Sequence, residues 1–296
     1  MAYLLIKTTN CEKIIIKMKF TIQKNIILEN PETKSFLADT FVPENREKLP
    51  LVIFCHGYKG YKDWGAWNLM AEKFAESGFF FVKFNFSHNG TTLEKPSDFA
   101  DLESFGENNY SKELSDLEFV LDYFSQDSRV DAENISLIGH SRGGGITIIK
   151  ATENIKIKNL ITLASVDSLD RFPKGEDFIN WKREEVYFSN NARTRQMMPH
   201  YFQFFENFEK NKNRFDVENS MKNFSGRTLI IHGNLDEAVD YSSAENLHIW
   251  AKNSTLKLIE GANHTFGAKE PWAEKKLPEF LEIVVKDCLE FLETNH

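Results

Sequence analysis

Six continuous apolar runs punctuate the chain: Leu49 to Cys55, Gly78 to Phe86, Ile135 to Gly139, Leu160 to Ala164, Thr228 to Gly233 and Leu256 to Gly261. Runs of this length without polar alternation suit strands buried on both faces, as in a parallel sheet. Between them lie stretches that predict helices. Trp64 to Ser77 is one. Asn109 to Phe124 is another, with Leu114, Leu117, Val120, Leu121 and Phe124 at helical spacing. Gly144 to Glu153 and Leu277 to Leu292 complete the set. Ahead of these, Phe20 to Leu28 and Lys34 to Val42 partly alternate around Asn30-Pro31-Glu32-Thr33. They predict an antiparallel hairpin at a sheet edge. Strands alternating with helices imply βαβ crossovers and a doubly wound, mostly parallel α/β sheet.

One segment breaks this rhythm. Residues 166–223 carry no buried-strand pattern but are dense in aromatic and charged residues, Phe172, Phe178, Trp181, Tyr187, Phe188, Tyr201, Phe202, Phe204, Phe205 and Phe208 among them. A stretch this long exceeds an ordinary connection and reads as an inserted cap or lid. A pair of sheet-covering helices is the alternative. Within it, Val186 to Asn191 predicts one arm of a small hairpin, and Met198 to Phe208 a helix. The organisation expected is an α/β domain over 18–296, a cap within it over 166–223, and an N-terminal extension over 1–17. That extension is either frayed or precedes the true initiator, Met18.

Composition narrows the function classes. The chain has 296 residues, 41% of them hydrophobic, so a large core is available and disorder is not expected. Its 26 Phe residues suggest an aromatic core or pocket wall. A net charge of −8 with scattered Lys and Arg argues against nucleic-acid binding. Cys11, Cys55 and Cys288 form no pair motif, which argues against a disulfide framework or zinc site and for a reducing, cytoplasmic compartment. The N-terminus is a poor secretory signal, and no run approaches the roughly 18–20 apolar residues of a membrane span. The sequence carries no indication of oligomeric state.

Gly139-His140-Ser141-Arg142-Gly143 is a G-x-S-x-G that follows a predicted buried strand and opens a helix pattern. That context is what a nucleophile elbow needs. The glycines fit because side chains at those positions would collide with the neighbouring strand and helix. A serine hydroxyl is a poor nucleophile and needs a base, itself oriented by an acid. In this architecture the chain order is Ser, acid, His. Asp236 in His232-Gly233-Asn234-Leu235-Asp236 and His264 in Gly261-Ala262-Asn263-His264 each follow a predicted strand. Loops at strand C-termini converge on one sheet edge. Asp240 competes for the acid role. The backbone N–H groups of Arg142 and of Tyr58, in His56-Gly57-Tyr58-Lys59-Gly60, are the candidate oxyanion donors. The Arg142 side chain is expected to make a structural salt bridge. His140 and His232 flank motif glycines and read as structural, His200 and His248 as surface groups on helices. His88 reads either as a pocket-rim residue or as a loop hydrogen-bonder.

Through these motifs, with the run Phe84 to Gly90, residues 20–292 resemble the α/β-hydrolase superfamily. The closest resemblance is to bacterial carboxylesterases, including the cinnamoyl or feruloyl esterase group and dienelactone-hydrolase-like proteins. It implies ester hydrolysis through an acyl-enzyme, with no metal or cofactor and a small-molecule ester as partner. Position 141 is Ser where dienelactone hydrolases have Cys, so lactone specificity does not follow. The chain has no room for the gating domain of prolyl-peptidase relatives. The same triad also serves peptidases, amidases and thioesterases, and a non-catalytic hydrolase-fold binding protein is a further alternative.

Overall fold

The computed structural model describes residues 19–44 and 46–293. The extension read over 1–17, with Cys11, and the initiator reading of Met18 lie outside these residues. The main sheet is built from β1 (Phe20–Leu28), β2 (Phe36–Pro43), β3 (Leu49–Cys55), β4 (Phe80–Phe84), β5 (Val130–His140), β6 (Ile157–Leu163), β9 (Arg227–Gly233) and β10 (Ser254–Ile259). Between β6 and β9 lie β7 (Val186–Asn191) and β8 (Gln196–Tyr201), a separate antiparallel hairpin. The helices are α1 (Trp67–Glu76), α2 (Leu102–Gly106), α3 (Tyr110–Ser125), α4 (Arg142–Glu153), α5 (Glu176–Glu184), α6 (Gln203–Lys210), α7 (Val217–Asn223), α8 (Ser242–Trp250) and α9 (Glu279–Glu293).

The strand order is β1-β2-β4-β3-β5-β6-β9-β10. β1 and β2 pair antiparallel, as do β2 and β4, and every other pairing is parallel. The fold is thus a mostly parallel, doubly wound α/β sheet. Alternate residues of β3 show why its run is apolar throughout. Leu51, Ile53 and Cys55 join the core beneath α3 and α4, while Val52 and Phe54 join the core beneath α1 and α9. On α1 the buried residues are Trp67, Met70, Ala71, Phe74 and Ala75, one helical stripe. Asn109 caps α3 by accepting from the Lys112 N–H.

Two expectations change. β10 follows an apolar run, yet it alternates between exposed and half-buried residues, because it is an edge strand with β9 as its one neighbour. Met198 to Phe208 is not one helix. Gln196–Tyr201 pairs with Val186–Asn191 in the hairpin, and the helix starts at Gln203. The helical spacing of Phe204 and Phe208 is real, but it begins only after the strand. Both phenylalanines pack on Tyr110 of α3, with centroids 4.7 and 6.3 Å away, which ties the hairpin region to the core.

Candidate active site

β5 runs straight into α4, and Ser141 occupies the turn between them with φ 55 and ψ −121. A non-glycine residue in this region costs on the order of 1–3 kcal/mol and persists only where its surroundings dictate it. Two backbone bonds do so here: the Ser141 N–H donates to Leu163 O at 2.9 Å, and the Val166 N–H donates to Ser141 O at 3.3 Å. The glycines at the turn are sterically required. A Cβ on Gly139 would lie 2.4 Å from Gly143 O, and one on Gly143 would lie 2.5 Å from Cys55 O.

Asp236 and His264 come from the loops after β9 and β10. His264 Nδ1 lies 2.8 Å from Asp236 Oδ2. The same oxygen lies 3.0 Å from His232 Nε2, and Asp236 Oδ1 accepts from the Ala238 and Val239 N–H groups at 2.8 and 2.9 Å. Burial disfavours the charged carboxylate. The hydrogen bonds from His232, His264 and Val239 outweigh it and hold Asp236 well below the usual carboxylate range. His264 and Ser141 line the same cavity, of about 550 Å³. The competing Asp240 is exposed and accepts from the N–H of Ser242, the first residue of α8, at 2.9 Å.

The loop after β3 runs against Ser141 so closely that a Cβ on Gly57 would lie 2.8 Å from Ser141 Cβ. Among the described residues, neither the Tyr58 N–H nor the Arg142 N–H has an acceptor. The loop is anchored below by a buried charge cluster not anticipated from sequence. Lys62 and Lys83 each contact Asp39 and Asp63 at 2.5–2.8 Å. The Lys62 N–H also donates to Asn85 Oδ1 at 2.7 Å.

The Arg142 guanidinium pairs with buried Glu113 at 2.9 Å and lies 4.8 Å over the Tyr58 ring. His140 donates from Nε2 to the His264 carbonyl at 2.9 Å. His232 has a larger part than a turn residue, since it fixes Asp236. His248 is bonded to Ser254 Oγ at 2.7 Å. His88 is buried and bonded to Ser87 Oγ, and it does not line the cavity shared by Ser141 and His264. His200 departs from expectation. It stands on β8 instead of a helix and lines the main cavity, with Nε2 2.7 Å from Tyr58 Oη and 3.1 Å from Ser189 Oγ. Burial, then the nearby cations Arg142 and Lys59, lower its pKa to about 3. Its partner Tyr58 is 142 positions away in sequence, so no local signal marks it.

Among the described residues, no group of three or more His, Cys, Asp or Glu is arranged to hold a metal ion, and no helix is long and apolar enough to cross a membrane.

Comparison with known proteins gives this architecture a family. The sequence model of the prolyl oligopeptidase family matches residues 71–282, more than half of the chain. A curated relative, the uncharacterized 31.7 kDa protein of the traX-finO intergenic region of Escherichia coli, is 28% identical over 144 residues. That match covers 47% of this chain and 46% of the relative, so it spans a little under half of the relative's length. Among solved structures, Est1E from Butyrivibrio proteoclasticus with bound ferulic acid superposes with a TM-score of 0.69 at 21% identity, covering 91% of this chain and 98% of that one. An acetyl xylan esterase from Paenibacillus sp. R4 gives 0.61 at 16% identity, covering 96% and 86%. At these identities the structures establish the shared fold.

Proposed function

The chain belongs to the prolyl oligopeptidase family and is a serine hydrolase of the α/β-hydrolase type, and from that premise we propose that it cleaves carboxylic esters of small or medium size through an acyl-enzyme. The observation that carries the reading is the fixed Asp236–His264 pair beside Ser141 in one cavity. Asp236 occupies Nδ1 of His264, which leaves Nε2 as the nitrogen that takes a proton. Ser141 Oγ attacks the ester carbonyl while its proton passes to His264. The oxyanion is held by the Tyr58 and Arg142 N–H groups. His264 then protonates the departing alcohol, and water repeats the sequence to release the acid.

In this reading the 166–223 segment is the cap. Its Phe172, Trp181, Tyr187 and Phe204 help wall the cavity, which supports an apolar or aromatic group on the substrate. The acetyl xylan esterase among the neighbours supports ester over amide chemistry, and the ferulic acid bound to Est1E supports an aromatic acid as one product. The two described cysteines, Cys55 and Cys288, are buried free thiols, in keeping with a reducing compartment such as the cytoplasm.

A second reading, peptidase or amidase, draws on the family itself. An acyl series offered both as p-nitrophenyl esters and as p-nitroanilides separates them. The proposal expects turnover of esters and at most trace cleavage of anilides. Anilide rates comparable to those of the matched esters would favour the second reading.

A further inference from the structure

Ser141 stands between two cavities, not at the end of one. Besides the aromatic-walled cavity beneath the 166–223 segment, a smaller chamber of about 230 Å³, with a largely different lining, also reaches it. Ser141, His264 and Tyr58 line both. An ester bound at Ser141 therefore has separate space for each of its halves.

The chemistry of the smaller chamber is one-sided. Its wall carries two cations, Lys59 and Arg193, and no carboxylate. Lys59 Nζ donates to the Asn190 carbonyl at 2.8 Å and lies 4.9 Å over the Tyr58 ring. The Arg193 guanidinium lies 5.5 Å over the Tyr61 ring and 5.7 Å over Phe99. Among the described residues it donates no hydrogen bond, and neither cation has an ion-pair partner. In the larger cavity Arg142 is neutralised by Glu113 at 2.9 Å, while Arg171 donates to the Ala238 carbonyl at 3.1 Å and a carboxylate, Asp177, shares the wall.

This pattern is unusual in a chain of net charge −8, where carboxylates outnumber cations. The Tyr61 and Phe99 rings, set at 69° to each other, hold the Arg193 cation by two cation–π contacts and leave its N–H groups without a hydrogen-bond acceptor among the described residues, and a guanidinium so placed can meet a carboxylate in two-point geometry. Lys59 is also held, by its carbonyl and ring contacts, so little ordering remains to be done on binding.

We propose that the smaller chamber is an anion-binding subsite, and that the preferred substrate is an ester one half of which carries a carboxylate held by Arg193 and Lys59. This rests on the ester reading above and narrows it to a substrate class.

Two matched pairs of esters test the proposal. In one, the same acyl group is joined to 4-hydroxybenzoate or to 4-hydroxybenzamide. In the other, p-nitrophenol is joined to glutarate through one carboxyl, with the far carboxyl free or methylated. The readout is the ratio of kcat/KM for the anionic over the neutral member, in wild type and in Arg193→Met, Arg193→Lys and Lys59→Met. The expected result is a ratio of about ten in at least one pair, corresponding to one charge-assisted contact. That ratio should fall toward one in Arg193→Met, fall partly in Lys59→Met, survive partly in Arg193→Lys, and shrink as salt is raised. A ratio of one or below in both pairs overturns the proposal, as does a preference that no substitution moves. Absence of turnover on all four esters would be a different failure, that of the ester reading itself, and would remove this subsite with it.

Discussion

Asp236 Oδ2 sits 2.8 Å from His264 Nδ1, and the carboxylate that makes this contact is itself held by three further donors, from His232, Ala238 and Val239. The acid therefore cannot rotate away from the imidazole without breaking several hydrogen bonds, and it remains ionised far into the acid range. Asp236→Asn is expected to lower kcat by roughly 10³–10⁴-fold, since an amide no longer fixes the tautomer or stabilises the imidazolium. Steady-state kinetics on a p-nitrophenyl ester checks this. Asp240→Asn should stay within about twofold, because Asp240 is exposed and its carboxylate accepts from the Ser242 N–H, with no bond to His264 among the described residues.

Gly57 is predicted to be a rate-determining glycine for geometric reasons. Its missing side chain lets the loop carrying Tyr58 lie against Ser141. Gly57→Ala should push the two apart by a fraction of an ångström to an ångström and cost about 10²-fold in kcat, with a small change in melting temperature. Unchanged kinetics would mean that the Tyr58 N–H is not an oxyanion donor.

The Arg142–Glu113 pair gives a stability prediction. Glu113 is 1% exposed, and burial raises its pKa against the pull of Arg142. Arg142→Ala strands this carboxylate and is expected to cost about 3–5 kcal/mol in urea unfolding. Arg142→Met combined with Glu113→Leu should recover most of the loss, because no buried charge then remains unpaired.

Stability should fall on mild acidification. Burial lowers the pKa of His56 and of His88 to about 4, and of His140 and His200 to about 3. The unfolded chain takes up these protons below its ordinary value near 6.5, while the folded chain stays neutral down to 3–4. The unfolding free energy therefore declines between about pH 6.5 and 4. Asp116 acts the other way. Burial lifts its carboxyl to about 7, so it is protonated in the fold before it is protonated in the unfolded chain. Glu72 and Glu113, which burial also raises, act in the same direction as Asp116, and four histidines against these three carboxyls predict a net loss, measured by urea melts from pH 7 to pH 4. His200→Gln should flatten the slope. Stability that is constant or rising toward pH 4 would contradict this balance.

The sheet was legible because burial on both faces leaves a plain mark, as in Leu51-Val52-Ile53-Phe54-Cys55, where alternate residues feed opposite cores. The turn at Ser141 was legible because sterics there allow only glycine at two flanking positions. What escaped depends on tertiary partners. The Leu256 run reads like a central strand, yet its place at the sheet edge leaves it half exposed. Gln196–Tyr201 became a strand by pairing with Val186–Asn191, and the helical spacing of Phe204 and Phe208 starts only beyond it. His200 and Ser189 of the β7–β8 hairpin meet Tyr58 from 142 and 131 positions away, and the Asp39, Lys62, Asp63 and Lys83 cluster forms from two strands and a loop. Neither has a local signature.

The central claim is that Ser141 is the activated nucleophile. The most direct measurement is reaction of the folded protein with a fluorophosphonate, followed by mass mapping of the adduct. One phosphonyl group per chain is expected, on the peptide containing Ser141, with labelling abolished in Ser141→Ala and strongly slowed in His264→Ala. A folded protein that takes up no label, or that takes it up elsewhere and keeps its esterase activity in Ser141→Ala, would contradict it.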